Sequence, residues 1–363
     1  MISFSKISIA IAIIAQTTDI GAELELIKAC QESSATAKDK QCQEISKSVE
    51  KLVQAGKSIQ NIDLSSTDLT GVNLDRADLR NANLEAAILI NSSLQNANLD
   101  LAKIDGANFT GANLAGLSFR TYTREEYKPT SDVNFHRANL EGADFRRGEF
   151  SEADFSNANL AKTKFDGTLW NSNFSNANLQ QAEIQGTVTS TFIKADLSSA
   201  NLSGTHISYG SFERANFMGA KLNDTKFLST NLNGASFVNA DLASAVFFIN
   251  YGSDPGTTLI GTNFANADLQ GATFSFYTNL QDSNFQGANL AGAIFIRTEN
   301  LVATQVKSAC NWEQAIYSFE PERNTYPLEV TQADRIASQE YINKLKQDRT
   351  SDPQNIVNCD RWK

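Results

Sequence analysis

Cys30, Cys42, Cys310 and Cys359 are the residues of this chain best equipped for chemistry, since thiols can pair, hold a metal or attack an electrophile. Cys30 and Cys42 lie close together, Cys310 and Cys359 lie near the far end, and the long middle has none. An even count split into two flanking pairs predicts two local disulfides, Cys30–Cys42 and Cys310–Cys359, in an oxidising compartment. Loop-closure entropy then contributes roughly 3 kcal/mol for the first and roughly 4 kcal/mol for the second. The alternatives are four free buried thiols in a reducing compartment and, third, zinc. Zinc fits poorly, because neither pair has C-x-x-C spacing and no His lies near either one.

Other catalytic material is sparse. His136 and His206 fall at or beside repeat positions and read as turn or wall residues. There is no G-x-S-x-G, no P-loop and no H-E-x-x-H. Asp63, Asp68, Asp78, Asp144, Asp154, Asp196, Asp241 and Asp268 all occupy one recurrent slot, so an acid–base pair cannot be singled out among them. No residue is assigned a catalytic, cofactor-binding or metal-binding role, no cofactor is expected, and the chain does not read as an enzyme.

The elements that must position these residues follow from composition. The chain has 363 residues, 41% of them apolar and 20% charged, a folded rather than a disordered composition. Lys plus Arg number 31 and Asp plus Glu 41, a formal net charge of −10. A surface of that sign is unsuited to tracking phosphates, so no nucleic-acid partner is expected. At the N-terminus, Lys6 precedes a run of Ile, Ala and one Ser from Ile7 to Ala15. The run falls short of the roughly 20 apolar residues that span a bilayer. Residues 1–21 read as a signal peptide, with Ala15 and Ala22 as small residues near a cleavage point; the alternative is a buried N-terminal helix. No stable membrane insertion is expected after processing.

The middle of the chain is periodic. Leu64, Leu69, Leu74, Leu79, Leu84 and Leu89 begin a series of large apolar residues five apart that runs to Phe119. Further phased blocks run from Phe135 to Ile184, from Phe192 to Phe247 and from Leu259 to Phe295. Two residues before each centre sits a small residue, such as Ala195, Ala200, Thr205, Gly210 and Ala215. One residue before it is often Asn or Asp, as at Asp68, Asn73, Asp78 and Asn83.

A period of five buries nothing on a straight element. On a helix the centres spiral around the axis, and on a flat strand alternate centres face water. The chain must turn a corner about every five residues, with the centre and the small residue two before it both facing inward. Asn and Asp suit such bends, because their side chains bond locally to backbone. Stacked turns then pair backbone groups with the turns above and below, about 4.8 Å apart.

The motif A-[DN]-[LF]-x-x, as in Ala77-Asp78-Leu79-Arg80-Asn81, resembles that of the pentapeptide repeat proteins. The resemblance covers residues 59–299 and implies an all-β solenoid, a right-handed quadrilateral β-helix with four pentapeptides per coil. Residues 20 apart then stack inside the tube: Phe135 on Phe155, Phe145 on Phe165, Phe217 on Phe237 and Phe227 on Phe247. Eighteen of the 22 Phe residues occupy centre slots and read as core, not as an aromatic binding surface.

Two interruptions, 120–134 with Pro129 and 248–258 with Pro255, read as loops extruded from a corner. Loops on a rigid scaffold often carry binding, which makes Tyr122, Arg124, Tyr127 and Tyr251 the candidate partner contacts; the alternative is a tolerated insertion. Smaller slips at Leu169–Trp170 and between Gln185 and Thr191 shift the phase.

An open β-helix has edges that must be covered. Residues 22–58 read as an N-terminal helical cap, a hairpin clipped by Cys30–Cys42. Residues 300–363 read as a C-terminal helical cap and tail tied by Cys310–Cys359, with a helical stripe at Val302, Val306, Ala309 and Cys310 and a further helix from Val330 to Leu345. The stretch Gln305–Tyr317 resembles the tail after the repeats in many cyanobacterial members of the family.

The function expected is a non-enzymatic scaffold or protein-interaction module in an exported compartment: periplasm, thylakoid lumen or outside the cell. Its partner is an unidentified protein, and two capped ends favour a monomer. The resemblance also implies an alternative, since some members mimic DNA and bind the topoisomerase gyrase. Residues 59–299 carry 25 acidic and 16 basic residues, a diluted negative charge, and a signal peptide would separate the protein from gyrase.

Overall fold

The computed structural model describes residues 38–120, 129–248, 256–275, 277–318, 330–354 and 357–362. The chain divides into two compact units, Met1–Gly167 and Thr168–Lys363.

In the first unit, parallel bridges link residues 20 apart in four columns: Asp63 to Asn83, Asp68 to Ile88, Asn73 to Ser93 and Asp78 to Asn98. Four columns within one 20-residue period make each coil four-sided. Every five-residue side repeats one arrangement. The centre is buried, as at Leu64, Leu69, Leu74 and Leu79, each with no exposure. Its N–H donates to the coil above, for example Leu64 N to the Asn83 carbonyl at 2.7 Å. Where the residue before the centre is Asn or Asp, its side chain folds forward to accept the N–H two positions on, as Asp68 Oδ1 does from Thr70 and Asn73 Oδ1 does from Asp75, both at 3.0 Å. That bond is the reason the slot prefers Asn and Asp. The residue two past the centre turns the corner at positive φ, as at Arg76 (60°), Asn81 (57°) and Asn91 (55°).

The stacked rings lie where the period of 20 places them. Phe135 and Phe155 are 4.9 Å apart and Phe145 and Phe165 are 5.1 Å apart, all in parallel offset stacks. The 18 centre-slot phenylalanines are buried. The first described element of the unit is helix α1, Lys38–Gln54, whose Ile45, Val49 and Leu52 are buried. The hairpin expected over 22–58 thus has one described helix; its other half and the Cys30–Cys42 pair lie outside the described residues. The first interruption is shorter than expected. Residues 129–134 rejoin the coil, with Thr130–Ser131 paired to Phe150–Ser151 and Val133 buried, because Thr130 and Val133 fill inward slots without the usual Ala-x-Leu signature.

In the second unit, strands Leu169–Asn173, Thr187–Thr191, His206–Ser208, Lys226–Leu228, Val246–Phe248, Thr273–Ser275, Ile294–Ile296 and Ile316–Ser318 form one parallel sheet in that order. Phe217 stacks on Phe237 at 4.6 Å and Phe227 on Phe247 at 4.9 Å. The slips near 170 and 185–191 are shortened sides: Leu169 pairs with Val188, and the register shifts between Trp170 and Asn173. The second interruption also narrows. Thr257 is fully buried and its hydroxyl donates to the Phe227 and Phe248 carbonyls at 3.1 and 2.9 Å.

The expected helical stripe over 302–310 is only partly helical. Helix α2 is Ala303–Lys307, whereas Ala309 and Cys310 return to the coil, with Cys310 bridging Asn289. Ile316–Ser318 then adds a rung above Ile294–Ile296. The centre N–H groups all point toward the next coil, so the last one needs a substitute acceptor. Helix α3, Gln332–Gln347, supplies it: Ser338 Oγ accepts from Tyr317 N at 3.0 Å. Thr331 and Asp334 form a capping box on α3, and Ser318 Oγ donates to Asp334 at 2.6 Å.

Candidate interaction surface

The interior is packed, so ligand chemistry must occur on the outer faces. The row of residues before each centre is largely self-satisfied. In the first unit Asn159 Nδ2 donates to Asn139 Oδ1, and Asn139 Nδ2 to Asn113 Oδ1, each at 3.0 Å. In the second, Asn311 donates to Asn289 at 2.8 Å and Asn289 to Asp268 at 2.9 Å. Amides bonded up and down a ladder stiffen the wall and leave few groups for a partner. What a partner would meet is the outward turn residues.

On one side of the first unit those residues are strongly acidic. Asp63 and Glu149 stand before centres, Glu85 and Asp105 after them, and Asp132 and Glu152 at corners, with Lys103 the one base among the described residues of these slots. A different side is charge-paired. Asp144 accepts from Arg146 Nη2 at 2.7 Å and Arg120 Nη2 at 3.0 Å, and these guanidiniums hold its carboxyl well below the usual carboxylate range. Asp78 is lowered in the same way, chiefly by Arg80. Glu141 is lowered by Lys162.

The second unit offers apolar groups instead. Tyr209 is 52% exposed, Met218 48% and Tyr277 58%. Tyr209 and Tyr277 sit at corners with φ of 55° and 59°, where a bulky side chain is unusual. Sequence reasoning passed over them because outward corner positions carry no periodic signal. The available clue was an aromatic residue in a slot filled elsewhere mostly by Gly and by polar or charged residues. The expected contacts Tyr122, Arg124, Tyr127 and Tyr251 lie outside the described residues.

Among the described residues, neither histidine is set against a carboxylate as an acid–base pair. His136 Nδ1 is 2.8 Å from Ser156 Oγ, and His206 is an exposed wall residue on a sheet strand. Among the described residues, no group of three or more His, Cys, Asp and Glu is placed to hold a metal ion, and no helix is long and apolar enough to cross a membrane. An open groove of about 550 Å³ beside α2 is lined by Gln281, Asp282, Ser283, Asn300, Val302, Thr304 and Gln305. Its single carboxylate has no acid or base partner there, and Gln305 Nε2 is committed to the Leu280 and Ser283 carbonyls at 2.9 and 2.8 Å.

Cys310 and Cys359 are joined through their sulfurs, with Cα atoms 5.6 Å apart. Cys310 is buried in the coil wall and Cys359 is half-buried on the C-terminal segment. Beyond it, Arg361 Nη1 donates to Asn239 Oδ1 at 2.9 Å and the Asn266 carbonyl at 3.3 Å. Trp362 Nε1 donates to the Gly287 carbonyl at 2.8 Å, and the Arg361 guanidinium lies 4.5 Å from the Trp362 ring centre.

Known proteins place this architecture. The family described as pentapeptide repeats matches in eight copies over residues 58–85, 77–116, 134–169, 195–227, 256–276 and 277–305. Among solved structures, HetL, a pentapeptide repeat protein involved in heterocyst differentiation regulation from the cyanobacterium Nostoc, is 24% identical; the match covers 72% of this chain and 95% of HetL, with a TM-score of 0.21. QnrB1, a plasmid-mediated fluoroquinolone resistance protein, is 16% identical over 78% of this chain and 99% of its own, with a TM-score of 0.21. A pentapeptide repeat protein from the Arabidopsis thaliana thylakoid lumen is 26% identical over 41% of this chain and 73% of its own, with a TM-score of 0.13. No curated protein matches the chain. The five-residue register traced by the bridges and buried centres is the register this family describes, and the chain belongs to the pentapeptide repeat family.

Proposed function

We propose that the chain is a non-enzymatic scaffold, a rigid wall that presents its outer turn residues to a protein partner in an exported compartment. The observation that carries this reading is the filled interior. Phe and Leu centres at zero exposure fill the described coils, which favours recognition on the faces. The apolar groups at Tyr209, Met218 and Tyr277 are the partner contacts we favour among the described residues, beside the loop residues Tyr122, Arg124, Tyr127 and Tyr251. Export is supported by the charged and apolar character of residues 1–21 and by the flanking cysteines, which we take to form disulfides in the mature protein. The test is intact mass, with and without reduction, on protein taken from its own host. A chain shortened by about 15 to 22 residues and lacking free thiols supports export. An intact Met1 with four free thiols overturns it.

A second reading has its own observation. The acidic side of the first unit, with Asp63, Glu85, Asp105, Asp132, Glu149 and Glu152, presents negative charge along stacked coils, as a DNA mimic that binds gyrase would. Inhibition of gyrase supercoiling by the purified chain, lost when these six residues become Asn or Gln, would favour it over the scaffold. No inhibition at a large molar excess of the chain over gyrase removes it.

A further inference from the structure

We propose that the Cys310–Cys359 bond is a redox latch: a dithiol reductant attacks Cys359, and the C-terminal strap of residues 357–362 then leaves the coil wall. The two sulfurs are unequally accessible. Cys310 is 1% exposed in the wall, whereas Cys359 is half-buried on the strap. A reductant thiolate therefore reaches Cys359 Sγ first, in line with the departing Cys310 sulfur. The Sγ–Sγ bond breaks, a mixed disulfide forms at Cys359, and Cys310 leaves as a thiolate that takes a proton. The reductant's second thiol displaces Cys359 and gives up its own proton. The net result is two protein thiols and one oxidised dithiol, with two electrons and two protons transferred.

The other tethers are weak by comparison. Arg361 holds the strap through exposed hydrogen bonds to Asn239 and Asn266, and Trp362 through a part-buried one to Gly287; the three acceptors belong to three successive coils. The covalent bond keeps these groups at high local concentration, and cleavage removes that advantage. The coil itself does not need the strap, since Cys310 keeps its backbone bonds to Ala288 and Leu290, at 2.7 and 2.9 Å. Release would bare the corner at Asn239, Asn266 and Gly287 in reducing conditions only. This inference rests on the bond, not on the compartment or the partner.

The experiment is pulsed trypsin digestion of the full purified chain, read by intact mass, before and after native treatment with dithiothreitol. A thiol count first establishes that the untreated protein holds the bond; free Cys310 and Cys359 there would overturn the latch outright. Cleavage after Arg361 is expected to be about ten-fold faster in the reduced protein, with cuts after Arg214 and Arg297 unchanged. Cys359→Ser should match the reduced rate, and Trp362→Ala in the oxidised protein should raise cleavage by less than about three-fold. An unchanged rate at Arg361 after reduction overturns the proposal, as does equal acceleration at Arg214 and Arg297, which would make the bond a support of the coil. Brief exposure to oxidised glutathione after partial reduction should leave the adduct on Cys359, and an adduct on Cys310 overturns the order of attack.

Discussion

Tyr317 lies face to face with Phe295, ring centroids 5.4 Å apart and planes within 8°, so the aromatic column that rises through Phe247 and Phe274 gains one more ring. The hydroxyl ends on the Trp312 carbonyl at 2.9 Å, and burial pushes the phenol strongly upward, so it stays neutral. Tyr317→Phe keeps the stack and loses one hydrogen bond, and should cost about 1 kcal/mol. Tyr317→Ala opens a ring-sized hole under α3 and should cost about 3–5 kcal/mol. Urea unfolding separates the two, and equal losses would show that the stack contributes nothing.

That ring also marks where sequence reading stops. Phe217 on Phe237 was legible because side chains five apart repeat and every fourth one stacks. Tyr317 stands 22 residues after Phe295, since α2 and the turn after it add length, and no fixed period reaches it. Val302, Val306, Ala309 and Cys310 have helical spacing, yet Cys310 N donates to Ala288 in the coil below, and pairing with the ladder outweighs local propensity. Thr130, Val133 and Thr257 fill inward slots that a search for Ala-x-Leu cannot find. The candidate surface was the least legible part, because outward residues answer to a partner and not to the fold.

Corner residues offer a test of backbone strain. Leu101 turns its corner at φ 64° and is 38% exposed, whereas Asn occupies the same slot at Asn81, Asn91 and Asn96. A Leu there carries the left-handed penalty without burying its side chain. Leu101→Asn should raise stability by about 0.5–1 kcal/mol, measured as a shift in the urea midpoint with unchanged slope. Gly167 is the opposite case, for a Cβ there would strike the Gly148 carbonyl oxygen, which is backbone and cannot swing aside. Gly167→Ala should cost more than 2 kcal/mol; a neutral Gly167→Ala would refute the close approach.

Asp144 makes stability depend on pH. Arg146 first, and then Arg120, depress its folded pKa from an ordinary value of 3.8. A depressed carboxyl binds fewer protons when folded, so its contribution is fully present above about pH 4 and is lost as pH falls below it toward the folded value. Asp144→Asn keeps an acceptor for Arg146 N but loses the charge. At pH 7 it should cost about 1 kcal/mol, since the pair is partly exposed. The gap between the melting temperatures of the two proteins should narrow steadily as pH falls from about 4 to about 2, and a gap that stays constant over that range would assign the loss to packing.

Lys307 decides whether α3 stays docked. Its ammonium is buried, 7% exposed for the residue, and it donates to the Leu345 carbonyl at 3.1 Å, to the Asp348 carbonyl and to the Asp352 carboxylate. The two carbonyls lie at the C-terminal end of α3, where the helix dipole favours a cation. Hydrogen bonds from Thr350 and Ser351 bring the Asp348 carboxyl down to about 2, so that end of the helix holds negative charge through mildly acid pH. Lys307→Met fills the same space with no donor and leaves those acceptors without it, at a cost of about 2–3 kcal/mol. The loss should be local. Amide exchange in Gln332–Gln347 should accelerate, because the helix then loses the tether at its C-terminal end and keeps the hydrogen bonds of Ser338 and Asp334 to the last rung, while amides of the Phe227, Phe247 and Phe274 column keep their protection. Unchanged exchange in α3 would mean that the helix is held by its apolar contacts at Ile342 and Leu345, and that the buried cation is incidental to docking.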